Sequence, residues 1–319
     1  MEITLGIQNG AIMYYPAVKE GITWDLERQG TPGKLTFTAV DDGAFDITEG
    51  NPVSLKVDGE GVFYGYVFSR KRSKNGMIDV TAYDQLRYLK NKDTYVYSGK
   101  TAAEVVQMLA KDFGLKTGVI EDTRWVIASR SEDNKTLFDI IQNALDATLI
   151  NTGRMYVLYD VFGALTLRDV ENMRLDLLVD AETAQDFDYS SSIDGETYNQ
   201  IKLTRPNETT GKRDVYIAKS GEAINNWGLL QYHDTLDDGA DGPSTANMLL
   251  ELYNRKTQSL SIQDAFGDLR VRAGSSVVVR LDLGDRKISN YMMAEKVRHT
   301  FKEGIHTMNL TLRGGDIDV

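Results

Sequence analysis

The chain has no cysteine and only three histidines, so neither a disulfide framework nor a thiolate metal site can be built. A chain without disulfides fits synthesis in a reducing compartment. Positive charge is also in short supply. With 36 Lys and Arg against 47 Asp and Glu, the formal net charge of −11 argues against general affinity for nucleic acid or anionic membranes. No stretch approaches the ~18 apolar residues of a membrane span. The start, "MEITLGIQNG", lacks the basic residues and apolar run of a signal peptide. What is present is ordinary for a globular protein. Hydrophobic residues at 41% and 319 residues in all allow real cores in about two or three domains.

Residues 1–95 read as strands. "KLTFTAV", "VSLKV", "VFYGYVFSR" and "MIDVTAY" are short, β-branched or aromatic, and separated by Gly, Asp and Asn turns. Val53, Leu55 and Val57 alternate with Ser54 and Lys56, the period of a half-buried strand. Asn75-Gly76 is a strong hairpin signal. Short strands at this spacing suggest a small barrel or sandwich.

The period then changes. Ala102, Val105, Val106, Leu109 and Phe113 share one helical face, with Gly114 placed to end the helix. Leu137, Ile140, Ile141, Ala144, Leu145 and Thr148 predict a second helix over 135–149, with Asn134 placed to cap it. "RMYVLYDVFGALTLRDV" reads as a hairpin turning at Phe162-Gly163. Residues 96–180 therefore form an α+β module. From 181 strands return in "YNQIKLTR", "RDVYIA", "WGLLQYH", "SVVVRLDL", "YMMAEKVRHTF" and "IHTMNLTL". One helix interrupts them, with Pro243 in its first turn and Ala246, Leu249, Leu250 and Tyr253 as its buried stripe.

Residues 49–83 can be laid beside 273–312. Both run glycine, small or turn residues, a five-residue alternating strand, a turn, a long strand ending in basic residues, a glycine turn and a last strand. Identity is low and a gap of about four residues is needed. Any two β-meanders share such a layout, so duplication and coincidence both stay open at this level.

Candidate chemistry is sparse. Gly99-Lys100-Thr101 has the ending of a phosphate-binding loop, but the residues before it, "TYVYS", are bulky where a glycine-rich cradle is required. Thr101-Ala-Ala-Glu104 instead reads as a capping box, with Gly99 and Lys100 as the turn into the helix. His299 and His306 flank a hairpin turn and could approach across strands, without a motif carboxylate to complete a metal site; His233 stands alone. "DTLDDGADG" at 234–242 fails the calcium-loop spacing, since its twelfth position is Thr245, and reads as an acidic loop. No Gly-x-Ser-x-Gly is present, and 47 acidic residues conceal any catalytic pair. No enzyme, cofactor or metal is expected. "SRKRSK" at 69–74 is the one compact basic run, and on an acidic chain Arg70, Lys71, Arg72 and Lys74 are expected to meet acidic groups of a neighbouring subunit or partner. The plainer alternative is a solvated hairpin arm.

Residues 45–120 carry a resemblance. Gly50, Gly65-Tyr66-Val67, Tyr83-Asp84-Gln85-Leu86-Arg87-Tyr88-Leu89, Gly99-Lys100-Thr101 and Phe113-Gly114-Leu115 resemble the XkdQ-like tail hub proteins of contractile-tailed phages and phage-derived bacteriocin particles. The remainder agrees in length and element order. The resemblance implies a mainly β fold with an α+β insert: two small β-barrel domains related by an internal repeat, at 1–95 and 181–319, separated by a helix-containing domain at 96–180. It implies a homotrimer whose six barrels form a ring, adapting the six-fold tail tube to the three-fold central spike and meeting other baseplate proteins. It also implies assembly in the bacterial host cytoplasm and no specific nucleic-acid or membrane binding. Because the chain ends at Val319 after its last strand, no fused cell-wall hydrolase is expected. Two other classes stand beside the hub: a tail-associated hydrolase of cell-wall glycan or peptide, and a monomeric carbohydrate-binding module with aromatic platforms on one face.

Overall fold

The computed structural model describes residues 1–314 except 42, 44, 45, 184, 185, 208, 237–239 and 283–286. The chain begins with β1 (Ile3–Asn9), β2 (Ile12–Tyr14), β3 (Val18–Glu27), β4 (Lys34–Val40), β5 (Pro52–Val57), β6 (Glu60–Arg72) and β7 (Met77–Tyr83). A 3₁₀ turn at Gln85–Lys90 leads to β8 (Lys92–Thr101), α1 (Ala102–Asp112), β9 (Thr117–Ile120), β10 (Val126–Thr136), α2 (Leu137–Thr152), β11 (Tyr156–Asp160) and β12 (Leu165–Asp169). Then come β13 (Arg174–Asp180), β14 (Asp186–Ser192), β15 (Gln200–Asn207), β16 (Lys212–Lys219), α3 (Gly221–Trp227), β17 (Gln231–Thr235) and α4 (Gly242–Tyr253). The last strands are β18 (Thr257–Phe266), β19 (Ser276–Asp282), β20 (Lys287–Lys302) and β21 (Ile305–Arg313). The fold is mainly β.

Two compact units are present. One comprises Met1–Leu149, Arg154–Asp188 and Leu260–Val319; the other comprises Ile150–Gly153 and Tyr189–Ser259. In the second unit, β15 pairs with β16 and β17, and α4 covers the sheet through Ala246 and Leu249 against Ile201 and Leu203. Leu250 and Tyr253 are only partly buried at the margin of that core.

A thirteen-stranded sheet follows the path β14-β18-β21-β20-β3-β4-β7-β6-β5-β1-β2, with β19 also paired to β20 and β13 to β19. The same order occurs twice within it. The set β3-β4-β7-β6-β5-β1 is matched by β14-β18-β21-β20-β19-β13, and the members also follow one another along the chain in the same sequence. Details agree at the level of single bonds. Gly50 N–H donates to Val67 O at 2.8 Å and Val67 N–H to Asn51 O at 2.9 Å; Gly274 N–H donates to Ala294 O at 2.7 Å and Ala294 N–H to Ser275 O at 2.8 Å. The register then skips one residue on each long strand, from Val67 to Ser69 against β7 and from Ala294 to Lys296 against β21. Gly50 and Gly274 both need a left-handed backbone, at φ +86° and +97°, which an L side chain resists.

Differences are local. β1 runs antiparallel to β5 while β13 runs parallel to β19. The link between β3 and β4 is a short loop, whereas β15 to α4 lie between β14 and β18. The two sets meet where β3 pairs with β20, from Ile22 opposite Phe301 to Glu27 opposite Lys296. Among the described residues no pairing closes either set on itself, so the barrels expected from the sequence are seen as an open sheet path.

Local patterns explain most elements. Leu35, Phe37 and Ala39 on β4, and Val277, Val279 and Leu281 on β19, are buried at alternate positions, as a one-faced strand requires. In the middle segment, α1 and α2 bury Val105, Val106, Leu109, Ile140, Ile141 and Ala144 in one core with Leu165 and Leu167. Three local expectations need correction. Asn134 does not cap α2. It sits at φ +49° where the pairing of β10 with β8 is irregular, and Thr136 takes the cap by accepting from Asp139 N–H at 3.0 Å. Gly99 and Lys100 belong to β8, with Lys100 opposite Ile127, rather than to a turn. "WGLLQYH" is not one strand: Trp227 ends the helix α3 and β17 begins at Gln231, with Gly228 at φ +78° between them.

Candidate functional site

The basic run lies at the end of β6 and in the turn after it. Arg70 pairs with Asp46 at 3.1 Å and Glu49 at 3.7 Å, and Arg72 pairs with Asp41 at 3.1 Å and Asp46 at 3.9 Å. Two of the four basic residues therefore already meet carboxylates of their own chain. Such exposed pairs contribute little, about 0–1 kcal/mol each. Lys71 and Lys74 are exposed, and no ion pair to either occurs among the described residues. On the side of β6 that carries β5, pairing stops at Gly50 and Asn51, and no strand continues along residues 69–72 among the described residues. β7 covers only the opposite edge.

On β20 the corresponding edge is occupied by β3, and a buried cluster forms there. Trp24 stacks on His299 with ring centroids 4.8 Å apart. Arg272 lies over Trp24 and over Tyr159, 5.0 Å from each ring centre. Its Nη2 donates to Asp160 O at 2.7 Å. Asp84 accepts from Gly33 N–H at 2.9 Å and Leu86 N–H at 3.0 Å. Complete burial holds the Asp84 carboxyl well above its usual range, and the Asp160 carboxylate adds to the rise. Burial also raises Asp160, against the pull of the Gly163 N–H, Gln85 and Arg272. Arg272 is thus a buried cation whose charge favours the ionised form of both buried acids. No sequence motif marked it: Arg272 stands just before the glycine and small residues that lead into the strand "SVVVRLDL".

His299 and His306 do come together, with Nδ1 and Nε2 at 2.9 Å. His299 Nε2 lies 3.0 Å from Val271 O, an acceptor only. Nε2 must therefore carry the proton, and His306 Nε2 must donate to His299 Nδ1. No group of three or more metal-ligating side chains occurs among the described residues. Burial lowers His299 to about 3, with repulsion from His306 second, and burial lowers His306 to about 4. His233 lies on β17 in the other unit.

Acid should consequently weaken the fold through His299. Its folded pKa is depressed below the unfolded value of about 6.5, so the unfolded chain binds the proton first. The stability is fully present above about 6.5 and is lost as pH falls below it. At about 1.4 kcal/mol per unit, lowering the pH from 6.5 to 5 costs about 2 kcal/mol from this residue. Urea midpoints for the parent and His299→Gln, compared at both pH values, should show the gap between them narrowing by that amount. An unchanged gap would refute the assignment. The raised carboxyls of Asp84 and Asp160 act in the opposite direction but cancel in this difference.

Thr101 and Glu104 form the reciprocal cap of α1. Glu104 N–H donates to Thr101 Oγ1 at 3.3 Å and Thr101 N–H to Glu104 Oε2 at 2.8 Å. Thr101→Ala should cost about 0.5–2 kcal/mol by chemical denaturation. Lys100→Ala should leave stability nearly unchanged, and nucleotide binding that depends on Lys100 would contradict this account. The acidic loop at 234–242 lies partly outside the described residues.

Residues 22–313 match the model of the family described as YQBQ-like. The chain belongs to the YQBQ-like family. Two members from Bacillus subtilis (strain 168), the uncharacterized protein YqbQ and the phage-like element PBSX protein XkdQ, are each 30% identical to it over 304 residues, covering 92% of this chain and 91% of theirs. Among solved structures, the 43 kDa tail protein of prophage MuSo2 from Shewanella oneidensis is similar with a TM-score of 0.70 at 12% identity, over 97% of this chain and 98% of that one. The prophage tail protein gp18 from Listeria monocytogenes EGD-e gives 0.66 at 11% identity, over 99% and 95%. At these identities the likeness is one of fold.

Several residues that carry the XkdQ-like resemblance, and neighbours they pack against, have structural reasons to be what they are. A Cβ on Gly65 would lie 2.2 Å from Tyr83 O, so only glycine lets β6 approach β7 there. A Cβ on Gly33 would lie 2.3 Å from Asp84 Oδ2, so Gly33 and Asp84 are chosen together. Tyr66, Tyr88, Phe68 and Tyr83 pack edge-on or tilted against one another rather than lying flat to solvent.

Proposed function

We propose that this YQBQ-like chain is a structural tail protein, the baseplate hub of a contractile phage tail or phage-tail-like particle that adapts a six-fold tail tube to a three-fold central spike. The observation that carries the reading is the strand order that occurs twice in one chain. Two equivalent β-modules per chain let three copies present six similar units around one axis, which answers a six-fold partner on one side and a three-fold partner on the other. Internal duplication accounts for the matching bonds at Gly50 and Gly274 more simply than coincidence does. In this reading the first module is residues 1–95. The middle module ends at about residue 173 rather than 180, because β13 is the first strand of the second module. Residues 193–256 are inserted between that module's second and third strands. Membership beside a protein of a phage-like element, and a fold shared with prophage tail proteins, support a tail role. Assembly takes place in the host cytoplasm, with the tube, the spike and other baseplate proteins as partners.

The role is one of assembly rather than catalysis. Mass measurement of the purified chain, alone and mixed with the tube and spike proteins of its own particle, should give a complex containing three copies. A chain that stays monomeric in every mixture overturns the hub. Turnover of purified peptidoglycan that vanishes with one carboxylate substitution would move the chain to the hydrolase class.

A further inference from the structure

We propose that β14 of one copy adds to the open edge of β6 at residues 69–72 of a second copy, repeating between chains the junction that β3 and β20 make within one. The inference rests on the self-assembly read above, but it names the surface and can fail separately. Strand order assigns the partners. β3 corresponds to β14 and β20 to β6, because each pair occupies the same place in the two matching sets. The junction between sets is then a contact of a β3-type strand with a β20-type strand. Within the chain it is made once, by β3 on β20. Among the described residues that leaves one strand of each type over: β14, at the end of the path and paired to β18 alone, and β6, whose edge beyond Asn51 carries no strand. A chain that ends in one half of a junction and begins with the other half joins copies head to tail, and such contacts either close into a ring or grow openly. Strand addition would also cover two edges that would otherwise invite unspecific pairing.

Charge supports the same match. At the internal junction the acids are on β3 and the bases opposite them on β20. Asp25 pairs with Arg298 at 2.5 Å and Glu27 with Lys296 at 3.2 Å. Counted from the skipped residue in each long strand, Lys71 corresponds to Arg298, since both stand two residues past the resumption of pairing and lie opposite Asp79 and Asn309. Lys71 is exposed, and β14 carries Asp186 and Asp188, both exposed. Arg70 and Arg72, with side chains directed to the other face of β6, hold their own carboxylates, which leaves Lys71 for the neighbour.

The absence of cysteine makes the test clean. A Lys71→Cys chain is mixed under mild oxidation with an Asp186→Cys or Asp188→Cys chain. Because each chain has a single thiol, a disulfide joining the two variants can form only between copies. Lys71→Cys mixed with Lys111→Cys, on the exposed side of α1, measures random collision, and a chain carrying both Asp25→Cys and Arg298→Cys should bridge within itself and report the internal junction. The expected result is a shift of the β6–β14 mixture to a covalent heterodimer, above the Lys111 control and reduced by salt. Oxidation of a chain carrying both Lys71→Cys and Asp188→Cys then yields larger covalent species. Self-association by mass without this cross-link overturns the proposed surface and leaves the hub reading standing. A mixture indistinguishable from the Lys111 control at every concentration overturns the proposal too. Failure of the hub would be seen instead as absence of binding to tube and spike.

Discussion

Replacing Arg272 with methionine lowers the stability of the fold by about 3–5 kcal/mol, the range for removing one partner of a buried charge cluster. The volume is nearly kept, so the loss comes from charge. Asp84 is buried among backbone donors and Asp160 is buried beside it, and Arg272 is the cation whose field reaches both. Without it each carboxylate is more costly to keep ionised. The pH dependence has a definite sign. A carboxyl whose folded pKa is raised holds its proton longer in the folded state than in the unfolded one, so stability falls as pH rises from the ordinary carboxylate range through the raised value. The variant should therefore recover stability on acidification more than the parent does. Adding Asp84→Asn should restore part of the loss at neutral pH, since the amide keeps an acceptor for Gly33 N–H without the charge. Urea denaturation of the parent, the single variant and the double variant decides the matter. A loss below about 1 kcal/mol for Arg272→Met, typical of a surface change, would show that the acids are neutral without it.

Trp24→Ala should cost about 3–5 kcal/mol, as large-to-small changes of buried aromatic residues do. Trp24 is 2% exposed and packs between Arg272 and His299, at the strand pair that joins the two matching sets. Its removal opens a cavity and strips the π face from a buried guanidinium. Trp24→Phe should cost much less, because Trp24 Nε1 has no hydrogen-bond partner among the described residues and the smaller ring discards an unsatisfied donor. Thermal unfolding of both variants tests the pair of expectations. Equal losses for alanine and phenylalanine would mean that the indole nitrogen, not the stack, is what the site needs.

Local patterns in the sequence were enough for the strands with clean alternation, such as β4, β5 and β19, and for the two middle helices. In those segments neighbouring residues along the chain decide the element by themselves. The capping box at Thr101 and Glu104 was legible for the same reason, since both partners lie within one turn. Asn134 was misread because two residue types could serve as cap, and the irregular pairing that claims it depends on β8, far away in the chain. The helix α3 was missed because it has only seven residues, and its last one, Trp227, runs on into Leu229, Leu230 and Tyr232, which together read as a strand.

By itself the sequence determined the mainly β character, the absence of thiol chemistry, and the meander that recurs near residues 50 and 274. These depend on composition and on short-range period. Only the tertiary structure decided that both meanders belong to six-strand sets of one order, that β3 bonds to β20, and that Trp24, Arg272, Asp84 and Asp160 share a buried cluster. Strand pairing and burial of charge bring together residues hundreds of positions apart, and no window of the chain contains both partners. The open edge of β6 is the same kind of fact: a run of basic residues is visible in the sequence, but whether a strand lies beside it is a property of the sheet.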